Sequence, residues 1–373
     1  MSVVAGQTRR RWALVAGGVA LLCAMPTIDS ALPVTVPHVA AAELRTHILA
    51  AEDQSFAGYA ESDASFGLPT GLDGFGGVAS LLDGVTRMRI WQAAPNRWRV
   101  DVLADVGEND TYETAHGAYL WNSNSELLTQ VLGQYPVRLP RAADLDPPAL
   151  AIRLLREAGP RARVTGLAPH RVAGIAATGL RLTPGDPDST IAQVDIWAEP
   201  GTWLPLQVEV FGRGTTQPAI ETQFLQVSTW RPNQATLTPQ RGPGTAFTQT
   251  DASDLSGALN DLGPVILPGS LAGRARVMAP TGFNQVGIYG HGLATFAVLE
   301  IDGSTGLGLI DDARSDGGMP LKGPHWYGVA ISTRIINAVM LHPRAGAGTF
   351  ILAGFVNRQI LRQAASQLAR DPW

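Results

Sequence analysis

A serine between glycines, seven histidines, a single cysteine and a group of aspartates are the residues whose types could carry chemistry in this chain. Ser270, in Gly269-Ser270-Leu271-Ala272-Gly273, stands one position too early for the Gly-x-Ser-x-Gly turn that exposes a hydrolase nucleophile. Gly290-His291-Gly292 lacks the third glycine of a phosphate-cradling loop and lies between two strand patterns rather than before a helix, so a tight turn is expected there. His38, His47, His116, His170, His291, His325 and His342 include no pair three or four apart on a helix, and a metal site would have to be assembled from distant segments. Asp311, Asp312 and Asp316 lack the alternating oxygen ligands of a calcium loop and read as a solvated acidic turn. Cys23 is the only thiol, and it falls in an apolar N-terminal run, which leaves no zinc site, disulfide or cysteine nucleophile elsewhere. These residues predict no enzyme, no metal and no cofactor.

The elements around them explain more. With 373 residues, 45% hydrophobic and 16% charged, the chain can close two cores, and its 41 glycines and 26 prolines predict short strands joined by many turns. A formal charge of −4 supplies no field for a phosphate backbone, so nucleic acid is not an expected partner. Of the 28 basic residues only Lys322 is a lysine, and no function is drawn from that bias. Arg9, Arg10 and Arg11 followed by the apolar stretch from Trp12 to Met25 form a secretory signal pattern, too short to span a bilayer as a helix; cleavage and an extracytoplasmic location are expected, with retention as a membrane tether the alternative.

Apolar residues at helical spacing predict a first helix over 40–51. The period then becomes two: Met88 and Ile90, a turn at Ala94-Pro95-Asn96, then Trp98, Val100 and Val102 describe a hairpin with an apolar face, and Arg87, Arg89, Arg99 and Asp101 give it a wet face. Strands over 112–116, 118–122 and 127–132, a helix opened by Asp146-Pro147-Pro148, and a four-stranded meander over 179–229 follow. Prolines 232, 239, 243 and 264 mark a linker with one short helical candidate over 251–262. A second unit from 265 onward offers six strands and a closing helix striped by Ile360, Leu361, Ala364, Ala365 and Leu368, with Asn357 as its N-cap.

Two features leave alternatives open. The glycine-rich segment 66–84 reads either as a loosely specified connection or as a mobile flap, carrying Leu72, Phe75 and Leu81 over an apolar cavity. Trp91, Trp98, Trp121, Trp197, Trp203 and Trp230 fit either sandwich packing or a concave sheet face that holds a lipid-like chain.

The run RMRIWQAAPNRWRVDVL over 87–103, VAGIAATGLRLTP over 172–184 and above all WAEPGTWLPLQVEVF over 197–211 resemble the LolA-like lipoprotein-localisation fold. IYGHGLATFAVLE over 288–300 and TFILAGFVNRQILRQAASQL over 349–368 are similar to the C-terminal domain of the MucB/RseB sigma-factor regulators. The glycine-rich insert stands outside the resemblance. What it implies is an α+β protein: a curved antiparallel half-barrel sheet wrapped on helices over 41–231, a linker over 232–264, and a smaller α+β domain with a C-terminal helix over 265–373, after an export segment and spacer over 1–40. By the same resemblance the chain binds a lipid or acyl chain, does no chemistry, and regulates an envelope-stress sigma factor through a single-pass membrane anti-sigma partner. The apolar cavity positions would be Met88, Ile90, Trp98, Val100, Val102, Leu206, Val208 and Val210, with Leu72, Phe75 and Leu81 from the flap. A periplasmic-type carrier without such a partner and a membrane-anchored structural protein of the envelope, pairing by its sheet edge, are the alternatives.

Overall fold

The structure, a computed structural model, describes residues 34–68, 77–104, 106–133, 138–252, 266–277 and 286–370. After the helix α1 (Ala41–Ala50) come β1 (Phe56–Ser65), the short helix α2 (Gly77–Leu82), β2 (Asp83–Ala94), β3 (Arg97–Leu103), β4 (Glu108–Thr114), β5 (Gly117–Asn122) and β6 (Leu127–Leu132). A second helix pair partner, α3 (Pro147–Glu157), precedes β7 (Arg163–Val172), β8 (Ile175–Thr183), β9 (Ile191–Ala198), β10 (Pro205–Gly212), β11 (Ile220–Ser228) and β12 (Ala246–Asp251). These twelve strands form one curved sheet in the order β12-β6-β5-β4-β3-β2-β1-β11-β10-β9-β8-β7, antiparallel throughout except for the β12 to β6 pairing.

Alternation sets the face that this sheet buries. In β2, Thr86, Met88 and Ile90 are buried, whereas Val85, Arg87 and Arg89 between them are exposed. The same period buries Leu180 and Leu182 on β8, Val194 and Ile196 on β9, and Val208 and Val210 on β10. Against these lie Leu44 and Ile48 of α1 and Leu150, Ala151, Leu154 and Leu155 of α3, in one continuous core. Pro147 and Pro148 start α3 where no intrahelical donor is lost. A second core on the same sheet gathers Phe56, Ala60, Met88, Ile90, Val100, Leu206 and Phe224, with Leu81 of α2 packed on it.

The second sheet comprises β13 (Ser270–Leu271), β14 (Arg274–Val277), β15 (Val286–His291), β16 (Ala294–Asp302), β17 (Met319–Lys322), β18 (Trp326–Ser332), β19 (Asn337–Pro343) and β20 (Gly348–Gly354), in the order β13-β14-β15-β16-β20-β19-β18-β17. Helices cover both of its faces. The C-terminal α5 (Arg358–Leu368) buries Leu361, Ala364, Ala365 and Leu368 against Phe296, Val339, Leu341 and Leu352. On the other side, α4 (Gly303–Ser315) places Ile310 and Ala313 on Val329 and Met340. Asn357 caps α5, accepting from the Ile360 amide at 3.1 Å.

The two sheets meet closely. Leu293 and Ile335 belong to the core of the first, the Ser189 hydroxyl donates to the Leu293 carbonyl at 2.5 Å, and the Thr190 amide donates to Phe355 at 3.0 Å. Arg274 forks onto Asp186 at 2.8 Å and reaches Asp188 at 3.1 Å, and Asn357 donates to the Asp188 carboxylate at 2.7 Å. A Cβ added at Gly212 would stand 2.2 Å from the Arg334 carbonyl, so glycine is what lets the backbones approach.

Several expectations change. Part of the 232–264 linker is β12, whose parallel pairing with β6 extends the large sheet; its alternating Thr and Gln suit an exposed edge strand as well as a linker. Asp251 ends that strand instead of starting a helix, the Ala252 amide still donates to the Leu132 carbonyl at 2.8 Å, and 253–262 lie outside the described residues. Asp311 and Asp312 sit within α4, which Asp302 caps by accepting from Ser304 and Thr305, so the aspartates are helical, not a turn. No helix among the described residues is long and apolar enough to cross a membrane.

Candidate functional site

The apolar positions inferred from the strand period divide into groups. Ile90, Trp98 and Val100 line a cavity of about 520 Å³ between the concave face at β2 and β3 and the side of α3. Met88 is packed in the core beside it and does not line it. Val208 and Val210 lie under α1 and α3, where the sheet face is filled solidly. Leu206 faces a smaller hollow of about 250 Å³, shared with Ile175, Leu204 and Trp230, and Val102 is half-buried. Of the flap residues Leu81 packs on the core, whereas Leu72 and Phe75 lie outside the described residues.

The far wall of the cavity is α3 with the 3-10 turn Ala142–Leu145 ahead of it. Ala143, Pro148, Ala149 and Ile152 supply apolar surface, and the almost fully buried Asp146 stands in the same wall. The volume falls within the roughly 300–1,000 Å³ usual for small-molecule sites, and of the sixteen lining residues half are apolar and half polar or charged.

Charged groups ring the mouth in pairs. Arg156 forks onto Glu52, one arm at 2.7 Å. Arg138 forks onto Asp144 with both arms at 2.6 Å, and Arg153 lies 3.6 Å from Asp144 and 3.7 Å from Glu157. Burial alone would raise Asp144, but the Arg138 fork, the Arg141 amide and Arg153 hold it below the ordinary carboxylate range. Glu52 is likewise lowered, first by its hydrogen bond to Arg156. Asp146 is different. It is 4% exposed, its Oδ1 is buried without a hydrogen-bond partner, and burial, opposed by the Ala149 amide, pushes it up to about 8.

A second polar cluster occupies the opposite face of the sheet. Arg99 bonds both oxygens of Asp101, at 2.5 and 2.8 Å, and Asp110 at 2.8 Å, while the Tyr112 hydroxyl donates to Asp110 at 3.2 Å. The guanidinium carbon lies 5.1 Å from the Trp91 ring centre and 4.9 Å from that of Tyr112. Asp101 and Asp110 are 1% and 3% exposed, so the face read as wet from its alternation is here a buried ion cluster. Desolvation, then the neighbouring Asp101, pushes Asp110 to about 7. Asp101, Glu108 and Asp110 offer oxygens within 4.8 Å of one another, the one group among the described residues with a spacing that could hold a metal ion; Arg99 already neutralises two of the three.

The sequence reading missed Asp146 and the Arg99 cluster. Asp-Pro-Pro reads as a helix start, where aspartate is common and usually solvated, so nothing local signals a buried carboxyl. The aromatic residues Trp91 and Tyr112 flanking Arg99 across the strands were the available sign that this face is covered.

No family model matches the chain, and no curated protein matches it. Among solved structures, it is similar to MucB of Pseudomonas aeruginosa in complex with MucA, at 16% identity and a TM-score of 0.46, over 87% of this chain and 96% of that one. MucB bound to MucA(peri) gives 16%, 0.47, 87% and 97%. A LolA-superfamily protein from Nitrosomonas europaea is similar over 54% of this chain and 99% of its own, at 10% identity and a TM-score of 0.25.

Proposed function

We propose that this chain is an extracytoplasmic, non-catalytic protein that binds a lipid or acyl chain and reports on it to an envelope-stress regulator of the MucB/RseB type. The observation that carries the reading is the cavity of about 520 Å³ between an apolar sheet face and α3, walled by Ile90, Trp98, Val100 and Ile152. Residues 41–231 hold the ligand, 232–264 connect, and 265–373 form the unit that meets a partner; 1–40 direct export. The partner is a single-pass membrane anti-sigma factor, the role that the sequence resemblance implies. The extensive contact between the two sheets supports a sensor over a simple carrier, because occupancy of one unit can then bias the other.

The test is quenching of tryptophan fluorescence by an acyl glycerol brominated in its chain. Quenching that saturates, and that drops in Trp98→Phe, is the expected outcome. An unquenched protein, or quenching unchanged by loss of Trp98, would refute binding at this site. Saturable capture of the periplasmic part of a single-pass anti-sigma protein distinguishes the sensor from a carrier, which binds the probe and no such partner.

A further inference from the structure

The two sheets end in four edge strands among the described residues, and three of them are guarded. β7 is interrupted by Pro169 and by a bulge between Leu167 and His170, β17 is only four residues long and carries Pro320 and Lys322, and β13 has two residues. Such features keep an edge from pairing with another chain. β12 has none of them. Its six residues pair with β6 without a bulge, include no proline or lysine, and have no strand on their outer side. We propose that this edge is an interface between two copies of the chain, in which β12 pairs antiparallel with β12 of the second copy about a two-fold axis at Gln249.

The backbone decides the register. The Ala246 amide donates to the Glu126 carbonyl at 2.9 Å and the Ala252 amide to that of Leu132 at 2.8 Å, so the even-numbered residues of β12 turn their amides to β6. Phe247, Gln249 and Asp251 therefore present both amide and carbonyl outward, as alternate residues of a parallel strand do. Setting Gln249 opposite Gln249 of the second copy sets Phe247 opposite Asp251, and every outward group of both strands then gains a partner; a shift of two residues in either direction leaves some of them bare. The side chains suit the same register. Gln249 already donates to Gln130 at 2.8 Å, so the pairing continues a row of amides across the axis. The exposed Arg241 lies over the Phe247 ring at 3.3 Å, and Asp251 of the second copy arrives beside that ring, which brings opposite charges together at both ends of the interface and keeps the two Asp251 side chains apart. Each copy buries its one unguarded edge, so the assembly closes as a dimer and does not grow. The cavity at β2 and β3 lies inward of this edge and stays open.

One pair of short strands is a small interface of the weak, transient class, so sedimentation velocity of the full chain should show a reversible monomer–dimer equilibrium between roughly 1 and 100 μM. Gln249→Lys and Gln249→Glu, at an exposed side chain, each set like charges against one another on the axis and should weaken the dimer about fivefold. An equimolar mixture of the two sets Lys against Glu and should recover the wild-type affinity. Arg241→Asp should also weaken the dimer, and adding Asp251→Arg to it should restore association; this exchange tests the register without touching Gln249. A wild-type chain that stays monomeric at about 100 μM overturns the inference. So does a dimer that Gln249→Lys leaves unchanged, or a mixture that associates no better than either variant alone. Pairing at β12 needs nothing in the cavity, so each of these results leaves ligand binding to its own test.

Discussion

Replacing Asp146 with asparagine should change how stability depends on pH. In the unfolded chain the carboxyl titrates near its ordinary 3.8, and in the fold burial pushes it to about 8. Between those values the folded protein holds a proton that the unfolded chain has lost, so stability falls as pH rises, by about 1.4 kcal/mol per pH unit for one proton. From pH 5 to pH 7 the loss assigned to Asp146 is therefore on the order of 2.7 kcal/mol. Asparagine has the same shape and no proton to take up. The other raised carboxyls, Asp101, Asp110, Glu113, Glu209 and Glu300, are present in both proteins and cancel from the comparison. Urea unfolding followed by tryptophan fluorescence at pH 5 and pH 7 supplies the four free energies, since six of the nine tryptophans fall in residues 41–231. The advantage of Asp146→Asn over wild type should grow by roughly 2–3 kcal/mol between the two pH values. An advantage constant to within about 0.5 kcal/mol would mean that Asp146 is ionised in the fold at pH 7, and the reasoning about the cavity carboxyl would fall with it.

Arg99→Met removes the counter-charge from two buried aspartates and should cost roughly 3–5 kcal/mol at pH 8. The cost should shrink at pH 5, because Asp110, raised to about 7, then takes up a proton; equal losses at both pH values would contradict the ion-cluster account. Leu155→Ala, at a fully buried position of α3, should lower the unfolding free energy by about 3 kcal/mol, and a loss below 1 kcal/mol would mean that α3 is not seated on the sheet. Gly212→Ala forces a methyl against the Arg334 carbonyl, so contact between the sheets should weaken by about 1–3 kcal/mol, seen as faster limited proteolysis of residues 232–264; an unchanged cleavage rate would place the two sheets apart in solution.

The sequence made the strand-rich α+β architecture legible where one face is apolar and one polar. Met88, Ile90 and Val100 alternate with charged neighbours and are buried as the alternation requires. The helices α3 and α5 announced themselves through Pro147 and Asn357 at their starts. Less was legible where both faces of a strand are covered, because alternation then loses its meaning: Asp101 looks solvent-facing by period and is enclosed by Arg99, Tyr112 and Trp91. β1, with Gly58 near its start and polar residues along its second half, carries almost no periodic apolar signal. α4 was missed because Gly303, Gly306 and Gly308 argue against a helix; the close approach of Gly306 to Thr349, where a Cβ would stand 2.2 Å away, is the packing reason for one of them. The location of the cavity was not in the period either. Eight positions share one face, and only the placement of α1 and α3 decides that Val208 and Val210 are covered while Ile90, Trp98 and Val100 border open space.

Everything functional here depends on that open space being occupied by an amphiphile. The direct measurement is mass spectrometry of organic extracts of the purified protein beside Ala149→Trp, which fills the cavity from the α3 side. Wild type should carry or take up about one acyl-bearing molecule per chain, and the filled variant should carry none while unfolding at a similar temperature. A wild-type protein that neither carries nor binds such a molecule, or a filled variant that binds it equally well, would contradict the account.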